Sequence, residues 1–571
     1  MPPTPPKKRS SKRQSSKRGP RQPDPSKQTS PEPGPSEQEA PQPRFPNQVA
    51  KVVAVLVVLG GLVWLVLRER HFSGWVDDDA FISFRYARNL ADGHGLVFNT
   101  GERVEGYTNF LWTVILSLAY RLGADIPNTA RVLGVVFSVL TLPVVWLFSR
   151  TSLTRPPGSL PPGVRPYVLA LAPLLLCLSE SWAAWAVGGL ENVFSAFLVV
   201  VSLLGYVSHL DSGKRSTLLL SALGFTLAGM NHPTNLLFTA VVGLHLVLRV
   251  ARKRAERGHL LAFCIVFLAV FGGYTAWRIG FYGDLLPNTY YAKVGLTRDV
   301  ILRGLRYFAD ILKSFPVSYA SALVLGALLA MRRAYDHRAW LLLVPVILYS
   351  VYVVSVGGEA FPAYRSMVVL IPLFALVLQI LVHEALRIPS GRLSPKSSVA
   401  VVTAVVVTVV ANSLPLHASE RVRRLDEAVR LGRTGLSTTA ALMLKELLPK
   451  ETLFAHSGAG LIAYYTGFRW IDTLGLTDHH IARTHVDVMG KGAAGHEKGD
   501  GAYVWARKPD YVMFPGYPIS DRMPGTKTGR ELFAIPEFHQ TYRPIRLSFR
   551  YRSPVDDVPR LFGAGTRDQL A

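Results

Sequence analysis

Val76-Asp77-Asp78-Asp79-Ala80-Phe81-Ile82-Ser83-Phe84-Arg85-Tyr86 sets three consecutive carboxylates just beyond the first membrane-length apolar run, Val49 to Leu67. An amphipathic segment follows and ends at Gly93-His94-Gly95. Acids placed past the end of a spanning helix sit at the water boundary of the bilayer. There a carboxylate stays ionised and still meets a substrate held in lipid. One of the three can cap the helix that starts near Ala80. The others are candidates for a general base, which must bring an ionised carboxylate close to an acceptor hydroxyl. Adjacent acids raise each other's pKa, and a divalent cation (Mg or Mn) is a candidate to relieve that repulsion. No set of residues is assigned as metal ligands.

Outward from this stretch the chain is 49% hydrophobic over 571 residues, too apolar for a soluble protein of that length. The apolar residues come in blocks of spanning length. The formal charge of +24 raises the question of nucleic acid, but Lys and Arg cluster in the N-terminal tail and in short loops between apolar runs. That is the pattern of the positive-inside rule, and no nucleic-acid partner is expected. Cys177 and Cys264 both lie in apolar runs and read as buried thiols.

Residues 1–47 are rich in Pro, Ser, Lys, Arg and Gln and hold too few apolar residues to offset the entropy of ordering. They read as a disordered, basic, cytoplasmic tail without the features of a signal peptide. Its Lys and Arg clusters are candidates to touch anionic membrane lipid, with a solvated tail the favoured reading. Eleven spans follow, at 49–67, 131–149, 168–180, 190–207, 216–230, 234–250, 260–280, 316–331, 339–356, 366–386 and 398–413. The apolar stretch Phe110–Leu122 is short and reads as an interfacial helix. Counting it as a span would turn the basic loops outward, so the charge pattern favours eleven.

With the N-terminus inside, the chemically rich loops share the opposite face. They are 77–107, the turns around Glu180 and Glu191-Asn192, and Asn231-His232-Pro233-Thr234. Gly283 to Lys293 and Gly357 to Arg365 complete the set. Arg85, His232, Lys293 and Arg365 are the cations of this face. A solvated or snorkelling role is the plain alternative for each, but several facing acids at one rim suit an anionic lipid phosphate. The glycine pairs lack the context of a nucleotide loop and read as turns, and His479, His480 and His485 read as surface histidines. After about residue 414 the hydropathy drops. Strands at Thr452–Ala455, Arg469–Asp472 and Asp510–Phe514, with a helix at Gly458–Thr466, predict a small α/β domain over 415–571, outside the membrane. The division is thus 1–47 tail, 48–414 membrane module and 415–571 C-terminal domain.

Asp78-Asp79-Ala80-Phe81-Ile82-Ser83-Phe84-Arg85-Tyr86-Ala87-Arg88-Asn89-Leu90, continuing through Gly93-His94-Gly95 to Gly106-Tyr107-Thr108-Asn109-Phe110-Leu111-Trp112, resembles the N-terminal motif of a known group. That group is the bacterial GT-C fold glycosyltransferases akin to the terminal arabinofuranosyltransferases of the actinobacterial cell wall. Gly189-Leu190-Glu191, Pro287-Asn288, Gly357-Gly358-Glu359 with Arg365, and Ile471 to Asp478 are similar to its other loop motifs, so the likeness covers about residues 50–490. Asp77 is an added acid, and Glu359 stands where Asp is usual. The resemblance implies a polytopic helical membrane protein of GT-C type in the bacterial inner membrane. It also implies inverting transfer of a pentose or hexose from a polyprenyl-phosphate donor to an extracytoplasmic glycan or glycoconjugate. Asp78 or Asp79 would be the base, and Arg85, His232, Lys293 and Arg365 would hold the donor phosphate. Glu105, Tyr107, Asn109, Glu191, Asn192, Asn288, Tyr291, Glu359 and Asp472 would contact substrate.

Two other classes compete. A transporter or flippase of a lipid-linked glycan places ionisable groups near the bilayer midplane, often between internal repeats. Here the polar residues lie at helix ends, and the two halves show no repeat. A non-catalytic envelope assembly scaffold would tolerate loss of Asp78 and Asp79.

Overall fold

The computed structural model describes residues 45–152, 160, 164–295, 297–331, 337–387, 418–486, 489–514, 525–543 and 545. It also describes isolated positions between 400 and 417 and the strand backbone of 547–552 and 559–564. From Pro46 onward the described residues form one compact unit. The expected tail lies outside the described residues except at 45–47, which already belong to the first helix, and most of the expected span at 398–413 lies outside them too.

The first helix, α1 (Phe45–Phe72), is apolar on every side, and Val52, Leu56, Val63 and Leu67 are exposed. That composition suits a lipid-facing helix, whose backbone must satisfy its own hydrogen bonds. Then follow α2 (Asp78–Ala91), the short apolar α3 (Phe110–Arg121) and the long α4 (Ile126–Ser152). Next come α5 (Arg165–Cys177), α6 (Glu180–Val187), α7 (Asn192–Ser212), α8 (Arg215–Asn231) and α9 (Leu236–Ala251). A π-turn at Leu268–Gly272 joins α10 (Arg257–Phe267) to α11 (Gly273–Tyr282). The bundle continues with α12 (Asn288–Lys293), α13 (Arg298–Ser314), α14 (Pro316–Met331), α15 (His337–Ser355) and α16 (Ile371–Arg387).

Among the described residues, seven helices are long and apolar enough to cross a membrane, or nine if two bent pairs each count as one. The pairs are α5 with α6, bent by 54°, and α13 with α14, bent by 94°. Ten of the eleven expected stretches are helical. They differ from the expectation because 168–180 and 316–331 are single arms of bent pairs and α8 has only 17 residues.

The C-terminal part holds a parallel sheet of β1 (Leu453–His456), β2 (Arg469–Asp472) and β3 (Tyr511–Met513), in the order β2-β1-β3. Phe454 pairs with Trp470 on one side and Tyr511 on the other, and the three rings stack. This aromatic face packs on Leu96, Phe98 and Tyr107 from the loop after α2. The sheet is thereby seated on the segment that carries the three acids. An antiparallel pair, β4 (Leu547–Arg552) with β5 (Pro559–Ala564), is an element the sequence pattern did not predict.

Candidate active site

The geometry begins at the start of α2. Asp77 is its N-cap, with extended backbone, and its carboxylate accepts the Asp79 N–H at 3.0 Å. Successive helical residues diverge by about 100°, so the next two acids face different surroundings. Asp78 accepts the backbone N–H of Gly460 at 3.2 Å and of Leu461 at 2.8 Å. Asp79 faces the bundle, where Lys293 Nζ stands 3.5 Å from its Oδ2.

Asp79 opens onto a cavity of about 360 Å³. Among the expected residues, Tyr107, Asn109, Glu191, Asn192, His232, Lys293, Glu359 and Arg365 also line it. The charged ones are coupled. Arg365 lies 3.4 Å from Glu191 and over the Phe361 ring at 4.5 Å. Glu191 in turn accepts the Asn109 amide at 2.6 Å. Glu359 accepts Tyr307 Oη and the Ser366 N–H, both at 2.8 Å. Ala363 and Tyr364 take left-handed backbone at φ 46° and 49° just before Arg365, conformations that cost about 1–3 kcal/mol each unless the surroundings enforce them.

Burial pushes Asp77 up to about 8; the negative charge of Asp79 adds to this and Arg365 opposes it. Burial also pushes His232 down to about 4, against the pull of Glu191 and with help from Arg365 and Lys293. Its Nδ1 accepts the Thr234 backbone N–H. The same nitrogen meets Thr234 Oγ1 at 2.7 Å, so this ring edge is turned to the 233–235 turn.

Six expected residues do not line the cavity, and each is held by other partners. Arg85 is buried and donates to the carbonyls of Phe98 at 2.8 Å, Ala463 at 2.7 Å and Phe468 at 2.7 Å, and to Asn99 Oδ1 at 3.2 Å. Every arm of its guanidinium is thus engaged before any phosphate arrives. Asp78 is held at the loop after β1, as described. Asp472 accepts the N–H groups of Leu474 and Thr477 and shapes its own turn. Asn288 donates to the carbonyls of Gly475, Leu476 and Asp478. Glu105 is buried against Arg278 at 2.7 Å, and Tyr291 lies beneath the Arg483 guanidinium at 4.2 Å. Five of the six hold loops or join the C-terminal part to the bundle; Glu105 braces α11.

Sequence reasoning missed the residues that support the cavity from outside. Arg421 donates to the carbonyls of Phe361 at 2.7 Å and Glu359 at 3.2 Å. Asn99 accepts the Trp470 N–H and donates to its carbonyl, pairing with the edge of β2 as a neighbouring strand would. Arg421 sits in a charged helix where nothing distinguishes it from a solvated residue.

No three His, Cys, Asp or Glu side chains among the described residues converge as metal ligands, and Lys293 supplies the opposite charge beside Asp79. Among the described residues these side chains form no all-protein cage for a divalent ion.

A family model described as a domain of unknown function, DUF8728, matches residues 424–562. A terminal beta-(1->2)-arabinofuranosyltransferase of Mycobacterium tuberculosis is 31% identical over 250 residues, 42% of this chain and 37% of that protein. The protein of the same name from Corynebacterium glutamicum is 28% identical over 347 residues, 54% of this chain and 47% of that one. The chain is similar to terminal arabinofuranosyltransferases. It spans less than half the length of these two relatives. Among solved structures, ArnT from Cupriavidus metallidurans bound to undecaprenyl phosphate matches with a TM-score of 0.48 at 13% identity, over 74% of this chain and 85% of that one. The apo oligosaccharyltransferase of Archaeoglobus fulgidus matches with a TM-score of 0.48 at 11% identity, over 74% and 64%.

Proposed function

We propose that the protein is an inverting glycosyltransferase that moves a sugar, a pentose by analogy with its relatives, from a polyprenyl-phosphate donor to an extracytoplasmic glycan or glycoconjugate. The observation that carries this reading is Asp79, a carboxylate facing Lys293 and Arg365 across one cavity. Asp79 removes the proton from an acceptor hydroxyl. The resulting oxygen attacks the anomeric carbon from the side opposite the phosphate. The bond between that carbon and the phosphate oxygen breaks, and its electron pair leaves with the polyprenyl phosphate. Lys293 and Arg365 stabilise the departing charge, with His232 lining the same cavity. Tyr107, Asn109, Glu191, Asn192 and Glu359 are proposed to hold the sugars.

The long Lys293–Asp79 contact supports this division of labour. A donor phosphate competes for the lysine and releases the carboxylate to act as base. Arg85 and Asp78 are proposed instead to seat the C-terminal part, 415–571, on the membrane module, 48–414. The positive-inside pattern supports a multi-pass protein of the bacterial inner membrane, with the 1–47 tail cytoplasmic and the cavity on the outer face.

The test is product analysis with the purified protein given polyprenyl-phosphate pentose and hexose donors. The wild type is expected to form a glycosylated acceptor of inverted anomeric configuration, and Asp79→Asn to lose at least about 10²-fold in rate while folding normally. Equal turnover by wild type and Asp79→Asn sinks the assignment of the base. No product from any donor sinks the reaction class.

A further inference from the structure

Three charged walls of the cavity, those of Asp79, Lys293 and the 357–365 loop, each have a tie to the C-terminal part. Asp78, the neighbour of Asp79, is held by the backbone of Gly460 and Leu461. Arg483 donates to Asp284 and to Asn288 Oδ1, both at 2.8 Å, at the entrance to α12, whose last residue is Lys293. Glu497 gathers a loop by accepting the N–H groups of Gly490 at 2.7 Å and Gly492 at 2.8 Å, and its other oxygen meets Arg303 at 2.8 Å. Arg303 also donates to the Gly357 carbonyl at 3.0 Å, where the loop leading to Glu359 and Arg365 begins.

Neither Arg483 nor Glu497 lines the cavity. Yet both bear on segments that cannot place their own cations. A helix of six residues is too short to be stable alone, so the direction of Lys293 depends on what grips its ends. Gly495, in the loop gathered by Glu497, lies directly over the Lys293 stem: a Cβ there would stand 3.3 Å from Lys293 Cγ. The 357–365 loop contains two strained non-glycine residues, which persist only while the surroundings over-determine them.

We propose that the C-terminal part is a positioning frame for the phosphate-binding cations, with Arg483 acting through α12 on Lys293 and Glu497 acting through Gly495 and Arg303 on Lys293 and Arg365. Both are positioning residues, and the kinetic half of this claim rests on the proposed transfer reaction. The two ties are independent, so each should fail separately. Glu497→Gln keeps an acceptor for the Gly490 and Gly492 N–H groups and removes only the charge that holds Arg303. Arg483→Gln removes the fork and the cover over Tyr291, and Arg483→Lys keeps a charge near Asp284.

The experiment combines hydrogen exchange of the full-length protein in lipid nanodiscs with donor kinetics. Arg483→Gln should speed exchange in 284–294 and leave 357–366 near wild type. Glu497→Gln should speed exchange in 357–366 and leave 490–497, whose acceptor is kept, near wild type. Each should raise the donor KM by about tenfold or more, since displacement of a binding group by about 1 Å can cost 10²-fold, and Arg483→Lys should recover part of the loss. A purely structural role predicts fewer active molecules at unchanged KM. That result, or unaltered exchange in the named walls, overturns the proposal. If the wild type transfers no sugar, the transfer reading fails, and the exchange pattern alone decides the positioning claim.

Discussion

Replacing Arg85 tests most sharply whether this arginine is a phosphate ligand or a staple. Its guanidinium satisfies three backbone carbonyls, two of them in the C-terminal part, and lies 4.3 Å from the Phe98 ring centre. Arg85→Gln can serve at most one or two of those acceptors. A buried carbonyl left without a donor costs about 1–3 kcal/mol, and the ring contact adds about 1–2 kcal/mol when desolvated. Partial relaxation and entry of water keep the sum well below its ceiling, so roughly 4 kcal/mol is the expected loss, much of the stability of an ordinary domain. The assay is limited proteolysis and thermal unfolding of the purified protein in nanodiscs. Arg85→Gln should expose the 460–470 segment to cleavage and lower the unfolding midpoint by several degrees. Arg85→Lys should do nearly as badly, because an ammonium cannot reproduce the fork. Wild-type stability in both variants, with only the donor KM raised, would refute the staple and return Arg85 to the phosphate.

Three further outcomes follow from the same geometry. Lys293→Ala should raise the donor KM by at least about tenfold with little change in unfolding midpoint, since the side chain is partly exposed and its ion pair is 3.5 Å long; a fall in stability without a KM change would count against a cation poised for phosphate. Asp77→Asn should alter how stability depends on pH. The folded-state pKa is raised to about 8, so the folded state binds this proton more tightly than the unfolded chain does. The resulting stabilisation is complete at acid pH and is lost as pH climbs from about 4 through about 8. Asparagine keeps the cap on the Asp79 N–H and removes the titration, so the variant should gain on the wild type between pH 5 and 8 in thermal scans; parallel curves would show that Asp77 does not titrate there. Asn99→Ala should destabilise the same joint as Arg85→Gln, and because the two side chains touch at 3.2 Å, the double variant should depart from additivity by about 0.5–3 kcal/mol.

The bundle was legible because its signal is long and repetitive: ten stretches chosen by apolar length are helices. The parallel strands were legible because Leu453–His456 and Arg469–Asp472 are short apolar runs between turn residues. Which polar residue faces the cavity was far less so. Asp78 and Asp79 are chemically identical neighbours, and only the direction of each around α2 separates a backbone latch from a cavity carboxylate. The position of Arg85 in the motif says that it matters. Its task depends on Ala463 and Phe468, almost 400 positions away, whose carbonyls no sequence pattern advertises.

The distances themselves suggest how the two kinds of charged contact divide. Contacts that brace the protein are short: Arg278 to Glu105 at 2.7 Å, Arg303 to Glu497 at 2.8 Å and Arg483 to Asp284 at 2.8 Å. The two that face the cavity are long, Lys293 to Asp79 at 3.5 Å and Arg365 to Glu191 at 3.4 Å. A short, forked, hydrogen-bonded pair is lost at high cost and therefore fixes geometry. The Lys293–Asp79 pair is long and partly exposed, so it gives up its cation cheaply to a competing anion, whereas Arg365–Glu191 is buried and costs more to part. A donor phosphate entering the cavity would thus draw Lys293 toward itself while the braces stay closed, leaving Asp79 without its cation on the side where a hydroxyl must arrive. If that ordering holds, inorganic phosphate or pyrophosphate should weaken donor binding competitively. Their effect should vanish in Lys293→Ala/Arg365→Ala, while the unfolding midpoint stays insensitive to salt.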